Sequence, residues 1–471
     1  MSKIVEKQLE EKSFRDSLST LDEDGKRKWI YPKKPSGKFT KWRNVVNVIL
    51  LTFLFSGPFI RIGGEPLLMI NVIERRFVLF GNTFWPQDFY IFVLIVLSAL
   101  VFIILFTVAY GRIFCGWICP QTIFMEGVFR KIEYWIEGDW KQQMKLNKEK
   151  MNPKKFGKKA AKHAIFFSVS FLIANTFLAY IIGSDELINI ITAPPSEHLA
   201  GLAALTIFSS VFYGVFAFFR EQVCTNVCPY GRLQGVLLDK QSVVVAYDRV
   251  RGEPKGKFRK NEDRSEAGKG DCIECGHCVH VCPTGIDIRN GTQLECVNCT
   301  ACIDACDSMM EAVNLPKGLI RYTSEEQIET REPFKLSFRA KAYSVLLVAL
   351  IGVVTALLLL RGEVEANFLR TPGMLYQVGE AGEISNLYNY KIINKGGRDL
   401  VLEIRPLEDN YELQMVGGQP KAPKGQIAEG AFFLSAPPEA FDLGKSETTL
   451  GVFDEDDRLL DKVKIRITGP L

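Results

Sequence analysis

The sequence contains little histidine and carries little net charge. Its 471 residues include 4 His, and 58 basic against 54 acidic residues leave a net charge of +4. So small an excess argues against a protein that binds nucleic acid through bulk charge. Twelve Cys are too sparse in a chain of this length for a disulfide scaffold. A nucleotide-binding glycine fingerprint and a hydrolytic triad signature are also lacking, so neither of those enzyme classes is indicated.

Apolar residues, by contrast, are abundant and form long uninterrupted stretches. They make up 47% of the chain. A membrane helix needs roughly 20 residues to cross the hydrocarbon core. Five stretches approach or reach that length, and the first, which contains Pro58, is the shortest. The expected spans are Val45–Ile60, Phe89–Tyr110, Ala164–Ile182, Leu199–Phe219 and Tyr343–Leu360; buried helices of a large soluble core are the alternative.

Lys and Arg are concentrated in alternate connections between these stretches. Residues 1–43 carry 12, residues 111–163 carry 12 and residues 220–342 carry 18, whereas the two other connections carry two and none. Short loops rich in positive charge stay on the cytoplasmic side of a membrane. We therefore expect a cytoplasmic N-terminus, cytoplasmic cysteines, and a C-terminal region outside the membrane.

The last eight Cys form two copies of a bacterial ferredoxin pattern. Each copy has the spacing C-x-x-C-x-x-C-x-x-x-C, followed by Pro283 in the first and by Asp307 in the second. Three closely spaced thiolates can wrap one cluster, and in two-cluster ferredoxins the fourth Cys ligates the other cluster. Structural zinc, the alternative, usually takes two C-x-x-C pairs separated by a longer spacer. We therefore predict two 4Fe–4S clusters, one held by Cys272, Cys275, Cys278 and Cys306 and the other by Cys282, Cys296, Cys299 and Cys302.

The other four Cys belong to a duplicated motif at the ends of two expected spans. AYGRIFCGWICPQTIFMEG (109–127) and AFFREQVCTNVCPYGRLQG (217–235) share a C-x-x-x-C-P core and an Arg before it. A spacing of four puts both sulfurs of a motif on one helix face, and the proline predicts that the second Cys caps a following helix. A helix N-terminus and a nearby Arg favour thiolate over thiol. Cys115, Cys119, Cys224 and Cys228 are therefore candidates for a Cu(I) site or for redox cycling; buried, inert Cys are the alternative.

Patterning with a period of two begins after Leu360 and predicts a small β-domain. The expected strands cover residues 383–394, 399–405, 411–416, 431–434, 448–454 and 462–468, with Gly and Pro between them. Short strands punctuated in this way indicate a sandwich. The region contains no Cys, no His and only two Met, far apart. It offers no obvious set of copper ligands, so we expect it to dock a partner.

The predicted fold is a multi-domain membrane protein. It consists of an α-helical transmembrane bundle of about five spans, an inserted two-cluster bacterial-ferredoxin-like α+β domain and a C-terminal all-β sandwich. The segment Glu65–Phe80 is expected to lie on the outer membrane surface. The predicted domains are a cytoplasmic arm (1–41), a region with spans one to four and both C-x-x-x-C-P motifs (42–250), the ferredoxin-type domain (251–342), span five (343–360) and the sandwich (361–471).

Several segments resemble the cbb-type cytochrome c oxidase accessory proteins of the CcoG/FixG/RdxA family. The matching stretches are GPFIRIGGEP (57–66), FWPQDFY (84–90), IEYWIEGD (132–139), DRVRGEP (248–254) and all four cysteine motifs. The resemblance implies a multi-pass polyferredoxin of the bacterial inner membrane, needed for the assembly of a haem–copper oxidase. It also implies that the C-terminal sandwich is an immunoglobulin-like domain in the periplasm.

The resemblance further implies a chemistry for the cysteines. The family is associated with the reduction of Cu(II) to Cu(I) on the cytoplasmic side, so copper is the expected substrate. The oxidase assembly machinery and a copper chaperone or copper-exporting ATPase are the expected partners. Carried over by motif, the four C-x-x-x-C-P sulfurs belong to the copper or redox site, and the eight ferredoxin sulfurs hold the clusters. A quinol-linked electron conduit of the NapH type and a non-enzymatic assembly scaffold remain alternatives.

Overall fold

The computed structural model describes residues 26–470 apart from short gaps at 63–64, 72–75, 80–81, 85–88, 261, 265, 374–375, 380–381 and 397. Most of the predicted arm, the centre of the predicted surface segment and the middle of FWPQDFY therefore lie outside the described residues. The chain divides into two compact units. The first comprises Met1–Gly57 and Ile95–Ile351, and the second comprises Pro58–Leu94 and Gly352–Leu471.

Helices dominate the chain before residue 360. Three short π-helical segments, at Ile123–Phe129, Val215–Phe219 and Val223–Val227, lie next to the C-x-x-x-C-P motifs. The α-helices are α1 (Lys38–Ser56), α2 (Phe89–Tyr110), α3 (Ile113–Trp117), α4 (Pro120–Thr122), α5 (Arg130–Ile136), α6 (Trp140–Lys148), α7 (Pro153–Ile182), α8 (Ser184–Thr192), α9 (Leu199–Gly214), α10 (Pro229–Leu237), α11 (Arg249–Gly252), α12 (His277–His280), α13 (Ala301–Ala312), α14 (Glu325–Thr330) and α15 (Phe338–Leu359).

Among the described residues, four helices are long and apolar enough to cross a membrane. They are α2, α7, α9 with its π-helical extension to Phe219, and α15. Large apolar side chains such as Leu172, Ile207 and Val345 are exposed on them, which suits helices that face lipid. These four helices correspond to the second to fifth predicted spans.

The predicted first span, Val45–Ile60, is the exception. It lies mostly within α1, which ends at Ser56 and does not meet the same standard of length and hydropathy. The reason is its polar first half, in which Arg43 is buried and donates to the carbonyl of Cys299 at 2.7 Å. Its second half exposes Val48 and Ile49. Four of the five expected spans are thus found as membrane helices, and the first stays a prediction.

The ferredoxin-type region is built around a two-stranded sheet and one helix. Strands β6 (Val244–Tyr247) and β7 (Ile320–Thr323) pair antiparallel, and α13 packs against β7. Met310 of α13, Leu319 and Ile320 are almost fully buried in the same apolar cluster as the cysteines. This α+β core matches the predicted two-cluster ferredoxin-like fold.

The second unit is all-β apart from the helix ends that it contains. In its first segment β1 (Arg61–Ile62) pairs with β2 (Glu65–Pro66), and β3 (Leu68–Asn71), β4 (Arg76–Leu79) and β5 (Asn82–Phe84) form an antiparallel sheet. The C-terminal strands are β8 (Val364–Arg370), β9 (Gln377–Val378), β10 (Ile384–Asn394), β11 (Leu400–Val401), β12 (Glu403–Pro406), β13 (Glu412–Val416), β14 (Lys421–Ala422), β15 (Ile427–Ala436), β16 (Lys445–Phe453) and β17 (Leu459–Thr468).

The C-terminal strands form the predicted sandwich. One sheet has the order β13-β15-β10-β8 with β9 on β10, and the other has the order β12-β16-β17, with every pair antiparallel. Ile392, Phe432 and Val452 are fully buried between them. Alternate residues of β10 point inward, as the period of two predicts.

Candidate iron–sulfur and membrane-edge cysteine sites

Four ferredoxin-type cysteines line one small cavity beside the sheet. Tyr247 of β6, Ile320 of β7 and Met310 of α13 form its apolar wall. Its volume is about 20 Å³. Its cysteines come from both motifs, because α13 brings the last Cys of the second motif to the first. They are Cys272, Cys275, Cys278 and Cys306, the set predicted for the first cluster.

A second cavity of the same size gathers the other four. Val245, Ile286 and Ile288 supply apolar lining, and Cys278 also borders it, so the two cavities are adjacent. The remaining cysteines on its wall are Cys282, Cys296, Cys299 and Cys302, the set predicted for the second cluster. The structure therefore brings together the two crossed sets, whereas their ligation of iron stays a prediction.

The loops between these cysteines repeat one backbone conformation. In the first motif Glu274 and Gly276 have positive φ of 53° and 70°, and in the second Asn298 and Thr300 have 52° and 64°. Non-glycine residues adopt this left-handed conformation at a cost of roughly 1–2 kcal/mol each. One residue in this conformation lies between each pair of successive cysteines. The cysteine side chains are therefore turned toward a common centre. The repeated geometry suits a group held by several sulfurs.

The two C-x-x-x-C-P motifs also share one conformation. The N–H of Cys119 donates to the carbonyl of Phe114 at 2.9 Å, and that of Cys228 to Val223 at 2.8 Å, five residues earlier in both cases. Each of these cysteines is the N-cap of a helix that begins with proline, α4 or α10. The predicted cap is confirmed. The prediction of one continuous helix face is wrong, because α3 and the π-helical segment Val223–Val227 both end before the second Cys of their motif.

The motifs pack against each other. Arg112 of the first donates to the carbonyl of Gly231, and Gln121 Nε2 donates to the carbonyl of Arg220 at 3.2 Å. Gln234 is fully buried, and its Nε2 lies 3.3 Å from Cys115 Sγ. Sequence reasoning missed Gln234, because nothing in the C-x-x-x-C-P core marks a polar residue six positions after its second Cys. The four membrane-edge sulfurs thus lie in one contact region.

Cys115 connects this region to the second cavity. It packs against an apolar cluster that contains Cys299, and Cys302 packs against the same cluster. The neighbouring Gly116 lies so close to the backbone that a Cβ there would be 2.5 Å from the carbonyl oxygen of Val297. Glycine at this position therefore permits the close approach of the membrane-edge motif to the ferredoxin-type sites.

Burial changes the expected ionisation of the membrane-edge thiols. It raises the pKa of Cys115 to about 11, although Gln234 and Arg112 oppose the rise, and it raises the pKa of Cys224 to about 12. Desolvation thus outweighs Arg112 at Cys115 and opposes the thiolate that the sequence predicts there. A metal that binds these sulfurs must displace their protons. Within the described residues, no three His, Cys, Asp or Glu side chains are placed to share a single metal ion.

A buried ion-pair network supports the second motif. Arg220, with a positive φ of 54°, donates from both Nη atoms to the carboxylate of Glu133 at 2.9 Å. Burial alone would raise the pKa of Glu133, but Arg220 and then Lys162 hold it below its ordinary value. The Arg220 guanidinium also stacks 4.8 Å from the ring of Trp29. These contacts fix the backbone just before Cys224.

Removing Arg220 should therefore destabilise the first unit. Arg220→Met leaves the buried carboxylate of Glu133 without its two-pronged partner and with Lys162 Nζ at 3.7 Å, and breaking a buried pair costs about 3–5 kcal/mol. Arg249→Met is the matched control, because its ion pair with Glu329 is exposed and such pairs contribute roughly 0–1 kcal/mol. Thermal unfolding in detergent should show a clearly lower midpoint for Arg220→Met alone. Equal midpoints for the two variants would contradict the assignment.

Comparison with known proteins agrees with this arrangement. The model of a 4Fe–4S dicluster domain matches residues 219–325, that of a 4Fe–4S binding domain matches 92–141, and that of the immunoglobulin-like fold at the C-terminus of FixG matches 354–470. Protein RdxA of Cereibacter sphaeroides is 35% identical over 387 residues, which are 79% of this chain and 80% of RdxA. The chain belongs to the FixG/RdxA family.

Other members of the FixG/RdxA family show similar agreement. Protein RdxB of Cereibacter sphaeroides is 33% identical over 79% of this chain and 80% of its own length, and nitrogen fixation protein FixG of Rhizobium meliloti is 36% identical over 64% and 58%. The crystal structure of a FixG-related protein from Vibrio parahaemolyticus covers 24% of this chain and 100% of its own, at 19% identity and a TM-score of 0.20. The family and the matched domains identify a membrane-embedded iron–sulfur electron-transfer protein with an immunoglobulin-like C-terminal domain.

Proposed function

We propose that the chain passes single electrons through its two ferredoxin-type sites to Cu(II), which is reduced to Cu(I). The observation that carries the proposal is the packing of Cys115 against the apolar cluster that includes Cys299. It puts the membrane-edge sulfurs next to the second site, and Cys278 borders both cavities. A short route therefore runs from the exposed Cys275 to the C-x-x-x-C-P motifs.

The chemistry of the donor set supports copper as the acceptor. An iron–sulfur cluster supplies one electron when it is oxidised, and one electron converts Cu(II) to Cu(I) without consuming a proton. Sulfur ligands favour Cu(I), the product, over Cu(II). Cys115, Cys119, Cys224 and Cys228 are the copper or redox site of this proposal, and Gln234 holds the sulfur of Cys115 in place.

The sidedness of the protein is part of the proposal. Lys and Arg are concentrated in residues 1–43, 111–163 and 220–342. This distribution supports clusters in the cytoplasm of a bacterium and a periplasmic sandwich.

The expected partners follow from this topology. We propose that the sandwich docks the cbb-type oxidase assembly machinery, and that a copper chaperone or copper-exporting ATPase takes up Cu(I) on the cytoplasmic side. A chain that ends after Leu360 should then keep copper reduction and lose oxidase assembly. Loss of copper reduction in the truncated, membrane-inserted chain would contradict separate roles.

Anaerobic copper reduction tests the central proposal. Purified protein is reduced with dithionite, freed of the reductant, and mixed with Cu(II) and a Cu(I)-specific chelator. The full chain should form Cu(I) in proportion to its stored electrons, and Cys115→Ala/Cys224→Ala should form several-fold less. If the reduced full chain forms no more Cu(I) than oxidised protein does, the proposal of copper reduction is wrong. Equal formation by the double variant would remove the membrane-edge sulfurs from the route.

A further inference from the structure

The membrane-edge cysteines form one site from two equivalent halves. Each half supplies a Cys before a tight turn and a Cys at the N-cap of a helix that begins with proline. The N-caps have nearly the same backbone angles, φ −59° and ψ 126° at Cys119 and φ −67° and ψ 112° at Cys228. Two hydrogen bonds from the first half to the second, Arg112 to Gly231 and Gln121 to Arg220, join the halves. The four sulfurs therefore come from two joined segments with similar N-cap conformations.

A polar side chain contacts a sulfur in both kinds of site. Gln234 donates a side-chain N–H to Cys115 Sγ at 3.3 Å, and in the ferredoxin-type region Thr284 Oγ1 lies 3.4 Å from Cys282 Sγ. Hydrogen bonds to sulfur are among the features that set the reduction potential of an iron–sulfur cluster. Cys115 thus shares this kind of contact with a predicted cluster ligand.

The number of sulfurs also matches a cluster. Iron–sulfur clusters of both common types are held by four Cys thiolates, and the eight ferredoxin-type cysteines are fully used by two clusters. The segment 92–141, which matches a 4Fe–4S binding domain, contains only Cys115 and Cys119. Two cysteines cannot supply four ligands, whereas the second half of the repeat supplies the other two.

We propose that Cys115, Cys119, Cys224 and Cys228 together hold a third 4Fe–4S cluster. This group would take one electron from the second ferredoxin-type site, beside which Cys115 packs, and would pass that electron to an acceptor. The inference rests on the electron-transfer part of the proposed function and not on the identity of the acceptor. Copper would then be reduced next to this cluster instead of being ligated by all four sulfurs.

Iron and sulfide content test the third cluster independently of copper reduction. About four Fe per cluster predicts about 12 Fe and 12 sulfide per chain in anaerobically purified protein. Cys119→Ala and Cys228→Ala, one from each half, should each lower the content to about 8 and remove the same EPR signal of the reduced protein. Cys296→Ala should lower iron equally but remove a different signal.

Two outcomes would overturn the third cluster. One is full-length protein that contains about 8 Fe, unchanged in both membrane-edge variants. The other is the loss of different EPR signals in Cys119→Ala and Cys228→Ala, because two ligands of one cluster must remove the same signal. A variant that fails to fold is recognised by loss of the ferredoxin-type signals too, and Gln234→Leu then serves in its place. It keeps all four sulfurs and should lower the potential of one cluster only, leaving the iron content unchanged.

Discussion

Gly116→Ala should slow electron delivery to the membrane-edge site several-fold. A Cβ at this position would lie 2.5 Å from the carbonyl oxygen of Val297 and 2.7 Å from that of Asn298. Both are backbone atoms between Cys296 and Cys299, so they cannot swing aside as a side chain would. The motif must move away from the second cavity, and electron transfer slows as the distance between donor and acceptor grows.

Stopped-flow oxidation of pre-reduced protein by Cu(II) measures this effect. Gly157→Ala is the matched control, because a Cβ at Gly157 meets no atom within 4 Å. Iron content should stay unchanged in both variants, which separates a longer route from a lost cluster. A Gly116→Ala rate equal to that of Gly157→Ala would show that electrons do not pass through this contact.

The crossed ligand sets make a second prediction. Cys306→Ala should abolish the same EPR signal as Cys272→Ala, although 34 residues separate them in the chain. Cys282→Ala should abolish the other signal, together with Cys299→Ala, although Cys282 is only four residues from Cys278. Each variant loses one ligand of one cavity, and about four Fe should be lost with the cluster.

Low-temperature EPR of the dithionite-reduced variants decides between crossed and sequential sets. If each motif held its own cluster, Cys282→Ala and Cys272→Ala would abolish the same EPR signal. Zinc in place of iron would give variants with no cluster signal and no change in iron. Cys278 borders both cavities, so the two predicted clusters would lie next to each other.

The cysteine sets were predictable because their spacing is a local property of the chain. Three cysteines in seven residues leave little freedom in how they surround a cluster, and the loops with Gly276 and Thr300 follow from that constraint. The strands of the sandwich were predictable for a related reason, since alternation along β10 and β16 reports directly which side chains are buried.

Features that depend on distant contacts were not predictable. The ion pair of Arg220 with Glu133 joins residues 87 positions apart, and the approach of Cys115 to Cys299 depends on the absence of a side chain at Gly116. The thiolate predicted at Cys115 is not favoured, because the sequence reveals the nearby Arg112 but not the burial that raises the pKa of the thiol. The first predicted span includes the apolar half of α1, whereas the polar half is used for contacts such as that of Arg43 with the carbonyl of Cys299.

Cys275 is exposed, whereas the other three cysteines of its cavity are buried. Oxidants attack sulfur where it is accessible, so dioxygen reaches the first cluster site before the second. The opening that lets an electron donor approach is therefore also where air enters. Protein handled aerobically should therefore lose iron first from the cluster that Cys275 ligates.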